Sequence, residues 1–101
     1  MHVNSATGLS PQITNWLRTA VNRFPDVHAA YLFGSRARGD YSPRSDIDIA
    51  IDAPNMSPAR FAQLRSEIDE LPIAFGLDCV WMQSLPDSGL KAQIEHDARA
   101  L

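Results

Sequence analysis

Asp46 and Asp48, two residues apart in Ser45-Asp46-Ile47-Asp48-Ile49-Ala50-Ile51, are the side chains of this sequence best suited to chemistry. In an extended strand alternate residues share a face, so both carboxylates project to one side while Ile47, Ile49 and Ile51 project to the other. Asp is depleted in strands, and two like charges on one face repel unless a cation or solvent relieves them. Hard divalent cations are held by a few carboxylates together with the phosphates of a substrate. Ten residues separate Asp46 from the small-residue pair Gly34-Ser35, a candidate turn for holding such phosphates. Arg36, Arg38 and Arg44 fall between the turn and the acids. Positive charge beside a carboxylate pair suits a nucleoside triphosphate and its cation.

A third acid, Asp78, stands inside the apolar run Leu77-Asp78-Cys79-Val80-Trp81-Met82. An unpartnered charge buried there would cost roughly several kcal/mol, or shift its pKa until neutral, and a nearby cation removes that cost. The plainer explanation is a side chain that faces solvent with Met82 or pairs with an arginine. Asp52 beside Ala53-Pro54 and Asp40 beside Gly39 read as turn or strand-end residues and stay outside the site. His2, His28 and His96 have no ligand-type spacing, which leaves no case for zinc.

The elements that must position these residues follow from capping and periodicity. Ser10-Pro11 is a cap followed by a first-turn proline, and Ile13, Leu17, Ala20, Val21 and Phe24 recur at helical spacing up to Pro25. Val27 to Phe33 reads as a buried strand running into the Gly34 turn, residues 36–40 as one helical turn, and residues 46–52 as a second strand. Ser57-Pro58 repeats the cap, with Phe61, Leu64, Ile68 and Leu71 forming the apolar face of another helix. Residues 77–82 make a third strand. Asp87 or Ser88 caps a last helix lined by Leu90, Ile94, Ala98 and Leu101. The expected fold is α+β, a small mixed β-sheet with helices packed on one face.

Length and composition bound the rest. The 101 residues, 45% hydrophobic and 21% charged, fit one domain over residues 1–101, with residues 1–9 a flexible N-terminus. A formal net charge of -3 argues against coating nucleic acid as the main task. The single Cys79 reads as a small buried thiol, compatible with a reducing compartment. Neither a signal peptide nor a membrane span is legible, and cytoplasmic residence is the default.

The stretch Tyr31-Leu32-Phe33-Gly34-Ser35-Arg36-Ala37-Arg38-Gly39-Asp40, continued by Ser45 to Ile51, closely resembles the signature of the minimal nucleotidyltransferases of the DNA polymerase beta superfamily. That pattern is Gly-Ser, about ten residues, Asp-x-Asp and then an acid on a later strand, a place that Asp78 occupies. The resemblance implies a palm-like nucleotidyltransferase fold. It further implies that Gly34 and Ser35 hold the triphosphate, while Asp46 and Asp48 bind magnesium, with manganese as a substitute. Asp78 would join the second of two ions and help deprotonate the acceptor. Arg36 and Arg38 would neutralise phosphate charge, a role weighed equally against that of solvated loop residues.

Larger members of the family carry an extra acceptor-binding domain, for which the resemblance leaves no place in these 101 residues, so the acceptor is expected to be held elsewhere. The small stand-alone members resemble the antitoxins of HEPN-domain toxins, which implies transfer of AMP from ATP onto a hydroxyl of a partner toxin. A homo- or hetero-oligomer is compatible with that reading, and Tyr41 and Trp81 are candidates for the partner surface. The rival reading is a nucleotidyltransferase-like binding module that neutralises or scaffolds its partner without catalysis. Phosphatases of the haloacid dehalogenase type also use Asp-x-Asp, but their motif continues to Thr where Ala50 stands here.

Overall fold

The computed structural model describes residues 8–42, 44–86 and 89–101. Helix α1 (Pro11–Asn22) starts where expected, because the Ser10 hydroxyl accepts the Ile13 N–H at 3.2 Å and Pro11 has no N–H to leave unsatisfied. Strand β1 (Ala29–Phe33) runs into the four-residue helix α2 (Ser35–Arg38), and β2 (Ile47–Asp52) follows a loop. Helix α3 (Pro58–Asp69) repeats the cap, with Ser57 Oγ accepting the Arg60 N–H at 3.1 Å. Then come β3 (Leu77–Trp81), a 3-10 turn (Met82–Ser84), α4 (Gly89–Asp97) and a short β4 (Arg99–Ala100).

The sheet order is β3-β2-β1-β4. β1 is antiparallel to both β2 and β4, whereas β2 and β3 run parallel, as a crossover through α3 allows. The expected α+β class with a mixed sheet is therefore the one observed. The helices, however, cover both faces rather than one. Ile47, Ile49, Ile51, Leu77, Cys79 and Trp81 pack with Leu17, Val21, Leu64 and Ile68 beneath α1 and α3. Phe33, Ala50 and Ile94 form a second cluster, with Tyr31, Val80, Met82 and Leu85 against it, so α4 covers part of the opposite face.

That second cluster explains why Ala50 is as buried as the isoleucines beside it. A central strand between two layers loses the simple in-and-out alternation. Three further departures from expectation have physical causes. The last helix stops at Asp97, and residues 99–100 instead pair with the edge of β1, satisfying backbone groups there. Only Ile94 of the expected apolar stripe is buried within the helix, and Leu90 is exposed. Leu9, expected in a loose N-terminus, packs fully into the main core. The expected cap at Asp87 or Ser88 lies outside the described residues.

Candidate functional site

The three acids meet on the face that α4 only partly covers. β2 and β3 pair in register Asp48↔Asp78, and β1 and β2 pair Phe33↔Asp48. Paired residues of neighbouring strands share a face, so Asp48 and Asp78 stand side by side beyond the Phe33 ring. Asp46 lies immediately before β2 on the same parity, at the mouth of the strand. Its peptide is anchored by the next residue, since the Ile47 N–H donates to the Gly76 carbonyl at 2.8 Å.

Two glycines make this crowding tolerable. Gly34 has φ 77°, and a Cβ there would lie 2.5 Å from Asp48 Oδ2. The left-handed backbone and the close approach both demand glycine. Gly76 lies equally close to Asp46 Oδ1, so a side chain at that position would displace the carboxylate. The Gly34-Ser35 turn thus touches the acid site directly. The first N–H groups of α2 that follow it have no acceptor within the helix.

Electrostatics fit the geometry. Burial, then the Asp78 and Asp46 charges, push the Asp48 carboxyl above its ordinary range, and Arg38 offsets this in part. Asp46 and Asp78 are exposed. The burial cost expected for Asp78 therefore does not arise, and its register with Asp48 is what marks it out. Among the described residues no three His, Cys, Asp or Glu side chains form a ready-made metal cage. Carboxylates alone are not a complete cage, and hard divalent cations are commonly held by one or two carboxylates completed by phosphate oxygens.

The two arginines divide. Arg38 reaches back from α2 to α4, where Nη1 donates to Asp97 Oδ2 at 2.8 Å and Nε donates to Asp40 Oδ2 at 3.1 Å. It stays near enough to Asp48 to depress that carboxyl's pKa. Arg36 is buried instead, at 1% exposure. Arg44 is exposed on the loop between α2 and β2. Asp97 was not singled out from sequence. Its signal, an acid near the end of a helix, is too common to read without the fold. His96 and Arg38, in that order, hold its carboxyl below the usual range.

Other candidates are accounted for elsewhere. Asp52 accepts from Gln83 Nε2 at 2.6 Å at the far end of β2, and Asp40 pairs with Arg38. Trp81, half-buried, stacks on Phe61 and donates to the Ala53 carbonyl at 3.0 Å. Tyr41 lies against Arg36.

A family model described as polymerase beta, nucleotidyltransferase, matches residues 15–101. The chain belongs to that family. Among solved structures this nucleotidyltransferase is similar to a toxin-antitoxin crystallised with AMP-PNP, at 25% identity and a TM-score of 0.64, covering 85% of this chain and 69% of that one. A mutant of the toxin-antitoxin MntA-HpeT matches at 23% identity and a TM-score of 0.57, over 88% and 68% of the two chains. A nucleotidyltransferase described from Sulfolobus solfataricus matches at 23% identity and a TM-score of 0.52, over 98% and 87%. The last two likenesses speak for the fold. No curated protein matches the chain. The resemblance read from the Gly34-Ser35 and Asp46-x-Asp48 motif to the minimal, antitoxin-type nucleotidyltransferases thus agrees with family and neighbours alike.

Proposed function

We propose that this nucleotidyltransferase moves AMP from ATP onto a hydroxyl of a partner protein, with magnesium, as the antitoxin of a HEPN-type toxin. The observation that carries the proposal is the in-register pair Asp48 and Asp78 on an open face, with Asp46 at its mouth and Gly34 against Asp48. The toxin-antitoxin neighbour crystallised with AMP-PNP supports adenine nucleotide as donor and a protein as partner. A cytosolic setting goes with this reading, and no described helix is long and apolar enough to cross a membrane.

In this reading the Gly34-Ser35 turn receives the triphosphate through backbone N–H groups, which approach closely because position 34 has no side chain. Arg38, held between Asp97 and Asp40, adds positive charge on the same side. Asp46, Asp48 and Asp78 would hold two magnesium ions, or manganese in their place, and the bound metal supplies charge neutralisation for the entering and leaving oxygens. The acceptor oxygen forms a bond to the α-phosphorus, the bond from that phosphorus to the bridging oxygen breaks, and pyrophosphate departs. The exposed Asp78 carboxylate takes the hydroxyl proton. Little else is asked of the protein, since phosphoryl-type transfer depends on positioning and electrostatics.

The test is co-expression with a HEPN-type helical protein, followed by incubation with ATP and magnesium and intact-mass measurement of that protein. Added AMP is the expected result. Asp46→Asn and Asp48→Asn should each reduce the labelling rate by about 10²–10³-fold, the scale on which removal of one electrostatic group from such a site acts. Absence of labelling with both magnesium and manganese would sink the transfer. Full neutralisation by the Asn variants would assign the biology to binding alone.

A further inference from the structure

Arg36 is the largest fully buried side chain of the protein and its only charged one among them, at 1% exposure among the described residues. Its guanidinium carbon lies 4.9 Å from the centre of the Tyr41 ring and 4.6 Å from that of Phe75, and its Nε donates to the Ser45 carbonyl at 3.1 Å. A planar, weakly hydrated guanidinium stacks flat on aromatic faces and gives up its water more cheaply than an ammonium, which is a compact and strongly hydrated point charge. The stack joins three segments. Arg36 belongs to α2, which follows the Gly34-Ser35 turn, Tyr41 and Ser45 belong to the loop that ends at Asp46, and Phe75 precedes Gly76.

Both contacts end one residue from something that touches Asp46. Ser45 is its chain neighbour, and Gly76 packs against its carboxylate while accepting the Ile47 N–H. The N-terminal segment closes the outer side, because Gly8, at φ 71°, brings its backbone so near that a Cβ would lie 2.5 Å from Tyr41 Cε2. At 1% exposure, Arg36 is enclosed by these segments and not presented to solvent.

We propose that Arg36 is a positioning residue for Asp46, fixing the metal-facing carboxylate through the Ser45 carbonyl and the Phe75-Gly76 segment instead of binding nucleotide. This rests on the reading of the acids as a magnesium-nucleotide site. It assigns Arg36 an effect on metal affinity and Arg38 the phosphate role. Groups that orient a metal-ligating side chain are as demanding of geometry as the ligand itself.

The experiment measures two affinities on the full chain: Mn²⁺, followed by the resonance signal of the free ion with AMP-PNP saturating, and AMP-PNP with Mn²⁺ saturating. Arg36→Lys and Phe75→Leu should each weaken Mn²⁺ by about tenfold or more while leaving AMP-PNP within about threefold of the parent. Phe75→Leu leaves Arg36 in place, which guards the comparison should Arg36→Lys fail to fold. Weaker AMP-PNP binding by Arg36→Lys, with Mn²⁺ affinity unmoved, would make Arg36 a phosphate ligand and overturn the proposal. So would Phe75→Leu binding Mn²⁺ as the parent does. A parent that binds Mn²⁺ and AMP-PNP yet labels no partner defeats the transfer reading and leaves this comparison standing. A parent that binds no Mn²⁺ defeats both.

Discussion

Asp48 sits where its charge is unwelcome to the folded chain, and several consequences follow at the scale of single residues. A carboxyl whose folded pKa is raised holds its proton more tightly folded than unfolded, so stability falls as pH climbs from the ordinary carboxylate range through the raised value, then stays flat. Asp48→Asn should therefore raise the melting temperature at neutral pH without divalent cations, by about 1–8 °C if removing a like-charge pair is worth a few tenths of a kcal/mol to 1 kcal/mol. Below the carboxylate range the gain should vanish, and calorimetry at both pH values checks it. Gly34→Ala should do the reverse, since a Cβ meets Asp48 Oδ2 at 2.5 Å on a left-handed backbone. A loss of about 1–2 kcal/mol by urea titration is expected, with transfer impaired as the carboxylate is displaced. Cys79, pushed up to about 12 by burial, should resist alkylation in the native chain at neutral pH and react once unfolded.

At the scale of elements, the strand register does what no single side chain can. The parallel pairing of β2 with β3 puts Asp78 beside Asp48, and a one-residue slip would send it to the isoleucine side. The caps that start α1 and α3 hold the layer beneath this sheet. Ser57→Ala should cost about 1 kcal/mol, a fall of roughly 4–8 °C in melting temperature for a domain of this size. On the other face α4 is tied to α2 by the Arg38–Asp97 ion pair more than by apolar contact, since Ile94 is its one buried hydrophobic residue. Asp97 has a lowered pKa, so its contribution is present above the ordinary carboxylate range and lost as pH falls through the lowered value. Asp97→Asn should accordingly lower the melting temperature at neutral pH, with the difference from the parent closing in acid.

At the scale of the whole molecule, the proposed function links ligand and fold through the acid face. Magnesium with AMP-PNP should raise the melting temperature of the parent, by an amount that grows with ligand concentration, and should leave that of Asp46→Asn nearly unmoved. Much of this was legible in the chain. Ser10-Pro11 and Ser57-Pro58 announce their helices, since a cap hydroxyl and a proline act within one turn. The isoleucine alternation of β2 set the facing of Asp46 and Asp48, and Gly34-Ser35 marked the turn, because strand parity and backbone freedom are local properties. The second helical layer, the strand at residues 99–100, the burial of Leu9 and the place of Asp97 were not legible. Each depends on which distant segment covers an exposed edge or face, and short-range pattern carries no record of that. The two arginines of the motif make the same division most sharply. Their spacing in Ser35-Arg36-Ala37-Arg38 says only that positive charge accompanies the acids. That Arg36 lies between two rings while Arg38 stays beside Asp48 was decided by packing, because Tyr41, Phe75 and Asp97 come from three separate parts of the chain and meet only in the folded protein.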